Sequence, residues 1–256
     1  MAIDFASKAN RYTYSDREAD RGWADAIRAI VDPSGKDVVD IGCGGGIYST
    51  AFSDLGATSV IGVDSSAEMI GAARERAVGH DTVTFRIGNA ASTGLAAGAA
   101  DIVFARALVH HLGDPAACFL EAKRLLRASG VFVVQDRLLE DVAVAGSPDH
   151  IRGYFFEKFP ALLDVERRRR PTSETILGAL ESAGFSAVDT TRIAEKRRDY
   201  GQFSELRQDL LARSGRSILH ELTDTQLHEL AAYIEGKLDP HAEITDVDHW
   251  TIWTAR

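Results

Sequence analysis

Cysteine, long apolar runs and basic charge are all scarce in this 256-residue chain, and each scarcity excludes a class of protein. Only Cys43 and Cys118 are present, which is too few for a disulfide framework and is typical of a reducing compartment. No apolar stretch reaches the length that spans a bilayer, and residues 1–12 lack the apolar centre of a signal peptide. These absences predict a cytoplasmic protein without a membrane partner.

The charge balance is acidic, with a formal net charge of -9 at pH 7. A protein that binds a phosphate backbone needs a basic surface, so nucleic acid is not an expected partner. The run Arg167–Arg170 is the exception, and we interpret it as a solvated face. A small molecule is the expected partner, and homodimer formation stays open.

Metal-binding motifs are also absent. The chain has no His-Glu-x-x-His and no Cys-x-x-Cys, which argues against a zinc site.

Short runs of β-branched residues alternate with amphipathic helical segments between residues 37 and 136. This alternation is the pattern of a parallel sheet that helices cover on both faces. The predicted strands are Val38–Ile41, Val60–Val63, Val83–Ile87, Ile102–Ala105 and Val131–Val134, followed by residues 185–193 and 246–254. We therefore predict an α/β fold with a doubly wound, Rossmann-like, mostly parallel sheet of seven strands.

Two segments interrupt this pattern in the second half of the chain. Residues 137–170 show no clear period, and a long irregular connection is usually a functional lid or a flexible loop. We interpret them as a lid-like insertion after the fifth strand. Leucines at helical spacing between about residues 203 and 238 predict a helical insertion before the last strand.

A glycine-rich turn directly follows the first predicted strand, from Asp40 through Gly42 and Gly44 to Gly46. Glycine lacks a Cβ, so the backbone can adopt positive φ and approach a ligand closely, while the next helix offers free amides. A dinucleotide fingerprint needs a third glycine where Ile47 stands, and Asp40 would repel a pyrophosphate. The spacing instead predicts a ligand with an ammonium group and a nucleoside.

Polar residues follow the next three strands, at the edge where ligands of such sheets bind. Asp64 ends the second strand and is placed to accept hydrogen bonds from both ribose hydroxyls. Asn89 follows the third strand, where an adenine contact and a plain turn explain it equally well. His110 and His111 follow the fourth strand as a base or an orienting group, with local packing as the alternative.

These residues resemble the class I S-adenosylmethionine-dependent methyltransferases, and more narrowly their small-molecule branch of the UbiE and methyltransferase-11 type. The likeness covers residues 5–136 and is carried by VVDIGCGGG, IGVDSSAEMI, ADIVFARALVHHLGD and LLRASGVFVVQD. It implies S-adenosylmethionine as cofactor and S-adenosylhomocysteine as product. It also implies a single domain over residues 1–256, made of an N-terminal lid and helix (1–36), a cofactor-binding core (37–136), the lid-like insertion (137–170) and a C-terminal half (171–256).

The resemblance further implies a set of cofactor-binding residues. They are Asp40, Gly42, Gly44, Gly46, Asp64, Ser65, Asn89, Ala90, Arg106 and Tyr14. Tyr14 belongs to residues 10–14, which look like the lid segment that many of these enzymes fold over the cofactor. Asn89 departs from the family, which often has an acidic residue there, although the Asn carbonyl can still accept a hydrogen bond from adenine.

The expected function is transfer of a methyl group to oxygen, nitrogen or carbon of a small acceptor, without a metal ion. His110 and His111 are the candidate catalytic residues. Two alternatives stay open, a noncatalytic S-adenosylmethionine-binding module and, less favoured, an NAD(P)-dependent oxidoreductase. The acceptor is not identified, because residues 138–238 carry no readable motif and Tyr154 to Phe156 fit a core as well as a pocket wall.

Overall fold

Seven strands form one sheet in the computed structural model, which describes residues 19–239 and 242–256. The strands are β1 (Asp37–Ile41), β2 (Ser59–Asp64), β3 (Val83–Ile87), β4 (Ala100–Arg106), β5 (Leu126–Asp136), β6 (Val188–Tyr200) and β7 (Ile244–Ala255). Their order across the sheet is β3-β2-β1-β4-β5-β7-β6; β1 to β5 are parallel, and β7 is antiparallel to β5 and β6. The predicted seven-stranded, mostly parallel α/β fold is confirmed.

Helices connect these strands and cover both faces of the sheet. They are α1 (Arg21–Ile30), α2 (Ile47–Asp54), α3 (Ala67–Arg76), α4 (Ala116–Leu125), α5 (Leu139–Val142), α6 (Ile151–Lys158), α7 (Ala161–Arg169), α8 (Ser173–Ser182), α9 (Phe203–Leu211) and α10 (Asp224–Glu235). Short 3₁₀ helices lie at Val109–His111 and Ser217–Glu221. Within the described ranges, no helix combines the length and the apolar character that crossing a bilayer requires.

Two apolar cores lie on opposite faces of the sheet because successive residues of a strand point to opposite sides. Val39 and Val103 belong to the core that includes residues of α4 and α8. Their neighbours Val38 and Phe104 point the other way and pack with Trp23 of α1 and with α2. Since both faces are covered, the carboxyl edge of the parallel strands is left as the place where a ligand can enter.

The β6–β7 hairpin projects beyond this carboxyl edge. Pairing between β5 and β7 ends at Asp136 and Thr251, whereas pairing between β6 and β7 continues to Tyr200 and Ile244. The chain leaves the hairpin there to form α9 and α10, which pack with α6 around a separate buried core. We call α6, α7, α9, α10 and the 3₁₀ helix 217–221 the cap.

The absence of a clear period in residues 137–170 wrongly predicts an irregular segment, since the structure forms α5, α6 and α7 there. The reason is burial on several sides: consecutive residues of α6, from Ile151 to Phe155, are all buried, so no single apolar stripe exists to be recognised. Tyr154 and Phe155 are part of the cap core, and Phe156 packs against it. The role of this segment as a lid stays a prediction.

Two glycines within helices provide a matched test of how the cap packs. A Cβ added to Gly153 in α6 would lie 2.2 Å from the Gly146 nitrogen and 2.4 Å from the Ala145 carbonyl carbon. A Cβ added to Gly178 in α8 would meet no atom within 4 Å. We expect Gly153→Ala to lower the free energy of unfolding by about 1–3 kcal/mol through overpacking, and Gly178→Ala to raise it by about 0.5–1 kcal/mol.

Urea unfolding of both variants measures these changes. The close contact between α6 and the loop before it predicts that Gly153→Ala is less stable than Gly178→Ala. Equal stabilities would contradict the close approach of α6 to residues 144–146.

Candidate functional site

A pocket of about 270 Å³ opens at the carboxyl edge of the sheet, where the glycine turn after β1 faces the cap. Eight of the sequence-predicted site residues line it: Asp40, Gly42, Gly44, Asp64, Ser65, Arg106, His110 and His111. They come from the ends of β1, β2 and β4 and from the 3₁₀ helix after β4. The structure therefore brings the two carboxylates and the two histidines to one cavity.

Three other predicted residues lie away from the pocket lining. Gly46 precedes α2 at φ +80°, and an added Cβ would lie 2.9 Å from Phe85. Glycine at this position therefore lets the start of α2 pack closely against Phe85. The Asn89 side chain accepts a hydrogen bond from the Ala91 amide at 2.8 Å and is exposed, while Ala90 packs against a core. Tyr14 lies outside the described residues. Cofactor contacts by these four residues stay predictions.

The glycine turn is held in place by the neighbouring strand. The amides of Gly42 and Cys43 donate hydrogen bonds to the Val63 carbonyl at 2.7 and 3.1 Å. Gly42 and Gly44 have φ of +73° and +53°, a region that favours glycine. At Gly42 an added Cβ would also lie 2.9 Å from Leu108. Both the backbone conformation and the available space therefore require glycine at this position.

Asp40 is a buried carboxyl group that no basic side chain pairs with among the described residues. The Ser49 hydroxyl donates to Asp40 Oδ2 at 2.6 Å. Burial raises the pKa of Asp40 to about 7, the Ser49 hydrogen bond opposes that rise, and the nearby Asp64 carboxylate adds to it. A cation beside Asp40 would stabilise its ionised form, so the site is suited to a positively charged group.

Asp64 stands at the end of β2 and connects the turn to the start of α3. Its Oδ2 accepts from the Gly44 amide at 3.0 Å, and its Oδ1 accepts from the Ser66 amide at 2.9 Å. Each carboxylate oxygen can accept further hydrogen bonds, and the side chain lines the pocket. Burial, and next the Asp40 charge, raise the pKa of the Cys43 thiol, which disfavours the thiolate form that a nucleophile needs.

A stack of aromatic rings and guanidinium groups forms another part of the pocket lining. The Arg106 guanidinium lies 4.1 Å from the centre of the Tyr48 ring and 3.9 Å from that of Trp250. The Arg137 guanidinium lies 4.4 Å from the same Trp250 ring. All four side chains line the pocket, and we call them the arginine stack. Such contacts fix the plane of a guanidinium and direct its N–H groups sideways.

Buried carboxylates hold both arginines of this stack. Arg106 Nη2 donates to Glu195 Oε2 at 2.7 Å, and the Tyr48 hydroxyl donates to Glu195 as well. Arg137 Nη1 donates to Asp248 Oδ1 at 2.9 Å. The Arg106 Nε is buried and has no acceptor among the described residues, which leaves this donor available to a ligand.

His110 forms a buried dyad with Asp136 at the end of β5. His110 Nδ1 lies 2.8 Å from Asp136 Oδ1, and the His110 amide donates to Asp136 Oδ2 at 3.2 Å. Burial lowers the pKa of His110, an effect that Asp136 opposes and the charge of Arg170 reinforces. Burial acts to raise the pKa of Asp136, but His110 and Arg170 outweigh it and hold this pKa below its ordinary value. The dyad thus combines an ionised Asp136 with a neutral imidazole at neutral pH.

His111 packs against this dyad, with its ring centre 4.1 Å from that of His110. Burial, and next the proximity of His110, lower its pKa to about 3, so the ring is neutral across the physiological range. Its participation in catalysis stays a prediction.

Sequence reasoning missed several residues that complete the pocket. Trp250 comes from β7, Ser217 comes from the cap, and Gly215 comes from the turn before the 3₁₀ helix 217–221. Ala107 also lines the pocket at φ +51°, an uncommon conformation for a residue with a Cβ. The sequence could have pointed to Ala107, because it directly follows the end of a parallel strand, where ligands bind. No sequence feature near Trp250, Gly215 or Ser217 predicts that they line the pocket.

Comparison with known proteins identifies the central part of the chain. A family model described as a methyltransferase domain matches residues 39–134, which contain the glycine turn, Asp64 and both histidines. A ubiquinone biosynthesis O-methyltransferase of Cupriavidus pinatubonensis is 36% identical over 116 residues, which cover 44% of this chain and 45% of that protein. The chain thus matches about half the length of this curated relative.

Solved structures share the fold over a longer range. A protein from an antibiotic biosynthesis pathway of Anabaena variabilis superimposes with a TM-score of 0.68 at 23% identity, over 90% of this chain and 95% of that one. Phosphoethanolamine N-methyltransferase 2 of Haemonchus contortus, solved with S-adenosyl-L-methionine, has a TM-score of 0.61 at 18% identity, over 99% of this chain and 60% of that one. At these identities the structures establish the fold alone.

Proposed function

Because this chain belongs to the class I S-adenosylmethionine-dependent methyltransferases, we propose that it transfers a methyl group to a small-molecule acceptor without using a metal ion. The observation that carries the proposal is one pocket lined by two different sets of residues. Asp40, Asp64 and the glycine turn form the first set, and His110, which pairs with Asp136 behind it, belongs to the second. The first set suits a cationic nucleoside, and the second suits a group that must lose a proton.

These first residues, together with Arg106, fit S-adenosylmethionine in charge and shape. Asp40 would hold the ammonium group, because its raised pKa marks a buried carboxyl that no basic side chain among the described residues pairs with. Asp64 would accept from the ribose hydroxyls at the end of β2. Arg106 would hold the carboxylate, since its buried Nε lacks an acceptor among the described residues and its charge is close enough to lower the pKa of Asp40. Gly42 and Gly44 let the backbone approach the ligand.

The bound cofactor supplies an electrophilic methyl group on a sulfonium and leaves as S-adenosylhomocysteine. The protein's own contribution is to position the acceptor and to take its proton. Nδ1 of His110 donates to Asp136, so the neutral ring presents Nε2 as a base. A neutral imidazole can take the proton of an acceptor hydroxyl, and oxygen is the target that we favour among oxygen, nitrogen and carbon. Asp136 acts as a positioning residue.

The test of this function is a calorimetric titration with S-adenosylhomocysteine, NADH as the comparison ligand, and a transfer assay with methyl-labelled S-adenosylmethionine. We expect S-adenosylhomocysteine to bind and NADH not to bind. Its affinity should fall as the pH drops through about 7, because Asp40 then takes up a proton and loses its charge. The variant Asp40→Asn should bind weakly at every pH.

The same variant provides an independent readout of the buried charge. The pKa of Asp40 is about 7 in the folded chain and about 4 when unfolded, so ionisation destabilises the fold progressively above about pH 4. Asp40→Asn removes this cost and should raise the free energy of unfolding of the ligand-free protein at pH 8 by up to about 4 kcal/mol. Binding of NADH in place of S-adenosylhomocysteine would contradict the proposal. Binding without label transfer would favour a noncatalytic module.

A further inference from the structure

Arg137 is the arginine of the arginine stack to which the proposed cofactor binding assigns no role. It follows Asp136 directly, and the Arg137 amide donates to Asp136 Oδ1 at 2.8 Å. We propose that the methyl acceptor carries an acidic group, a carboxylate or a phosphate, and that the Arg137 guanidinium binds it. This inference rests on the proposed function, because it assigns the part of the same pocket beyond the cofactor.

The order of strands separates the two arginines into two subsites. Arg106 ends β4, the strand that pairs with β1, so it lies beside the glycine turn. Arg137 follows β5, one strand farther from the turn, on the same edge as the dyad. The ring of Trp250 contacts both guanidiniums and links the two subsites. A ligand bound at Arg137 therefore lies on the His110 side of the pocket.

The guanidinium of Arg137 is fixed before any ligand arrives. Asp248 accepts from its Nη1, and Trp250 covers one face of the group. The residue is only 9% exposed and lines the pocket. A planar guanidinium with five N–H donors and a fixed orientation matches the two oxygens of a carboxylate or phosphate. Preorganisation of this kind favours an anion over a neutral ligand of the same shape.

Among the residues that the structure describes, the ion pairs connected to Arg137 and the dyad join more guanidiniums than carboxylates. Asp248 contacts both Arg137 and Arg152, at 2.9 and 3.5 Å. Glu166 contacts Arg152, Arg169 and Arg170, and Asp136 contacts Arg170 at 3.4 Å. These pairs join four guanidiniums to three carboxylates, while His110 is neutral. Burial first, and then the charge of Arg137, lower the pKa of Arg152 to about 10, as expected where positive charges are crowded.

The same charges oppose a cationic acceptor. The proposed cofactor brings a sulfonium and an ammonium to the Asp40 side of the pocket, so those carboxylates are already matched there. A basic acceptor would meet Arg137, while the carboxylates beside it, Asp136 and Asp248, already pair with arginines. An acceptor with an acid group at Arg137 and a hydroxyl at His110 satisfies both positions.

The experiment uses benzoate as the probe and benzamide as its neutral match, each titrated into the full chain saturated with S-adenosylhomocysteine. We expect benzoate to bind at least about tenfold more tightly than benzamide. In Arg137→Gln this preference should disappear, while the Kd of S-adenosylhomocysteine stays within about twofold. Arg137→Lys keeps the charge without the planar fork and should keep part of the preference.

Arg192→Gln is the matched control, because this arginine lies on the edge strand β6 with its side chain 62% exposed. It should leave the preference for benzoate unchanged. If benzoate binds no better than benzamide, or if Arg137→Gln retains the preference, the acidic acceptor is excluded. Should Arg137→Gln fail to fold, the wild-type ratio and Arg137→Lys still decide. Failure of S-adenosylhomocysteine to bind would overturn the proposed function and not the acidic acceptor. Benzoate and benzamide would then be compared on the chain without S-adenosylhomocysteine.

Discussion

Replacing His110 by alanine is expected to slow methyl transfer by about 10²- to 10⁴-fold, the usual contribution of a general base. Asp136 fixes the orientation of the His110 ring through Nδ1. Among the described residues that line the pocket, His110 is the one whose side chain contacts Asp136. Cofactor affinity should stay within about twofold of wild type, because His110 is not among the residues proposed to hold the cofactor. Transfer of a labelled methyl group to hydroxybenzoates, with S-adenosylhomocysteine titrations in parallel, measures both quantities.

The pH profile separates a catalytic from a structural role of His110. A base works only when it is neutral, and burial lowers the pKa of His110 below its ordinary value of 6.5. With S-adenosylmethionine kept at saturation at every pH, the wild-type rate should therefore fall on acidification only below about pH 6.5, and the variant should lack this acidic limb. His228→Ala, at an exposed position of α10, is the control and should behave as wild type. Unchanged turnover in His110→Ala would reduce the dyad to a packing element.

Replacing Asp64 by alanine should weaken S-adenosylhomocysteine binding by about 10²- to 10⁴-fold. Two hydrogen bonds from ligand hydroxyls to a carboxylate contribute about 1.5–3 kcal/mol each. The substitution also frees the Gly44 and Ser66 amides, which Asp64 holds at 3.0 and 2.9 Å, so the glycine turn loses a support. Calorimetric titration measures the affinity directly.

Two further variants show which part of this loss belongs to the ligand. Asp64→Asn retains one acceptor oxygen for the amides and should lose less affinity than Asp64→Ala. Asp81→Ala removes an exposed carboxylate just before β3 and should leave the Kd unchanged. An unaltered Kd in Asp64→Ala would remove Asp64 from the proposed nucleoside site.

The sheet was predictable because its signals are local. Each of β1, β2 and β4 is a short β-branched run, and such runs between helical segments specify a parallel sheet whatever the rest of the chain does. Asp40, Asp64 and His110 were found by the same reasoning, since each lies at or just beyond the carboxyl end of a strand. Helices α6 and α7 were not predicted, because a short helix buried on several sides has no apolar stripe.

The arginine stack is held by contacts between distant parts of the chain. Glu195 receives a hydrogen bond from Tyr48, 147 positions away, and pairs with Arg106, 89 positions away. Neither contact can be recognised from a sequence motif, because it depends on the order of the strands, in which β5 and β7 lie between β4 and β6. The arginine stack and the excess of guanidinium groups near Arg137 likewise exist only once β5 and β7 are paired.

The projecting hairpin gives the chain a modular boundary. Tyr200 and Ile244 face each other as paired residues, so the segment between them starts and finishes at nearly the same place. Segments with adjacent ends can be exchanged between relatives without changing the path of the remaining chain. We therefore expect chimaeras that replace residues 201–243 to alter acceptor choice while inheriting the donor site intact, provided that the grafted helices cover Phe155 on α6.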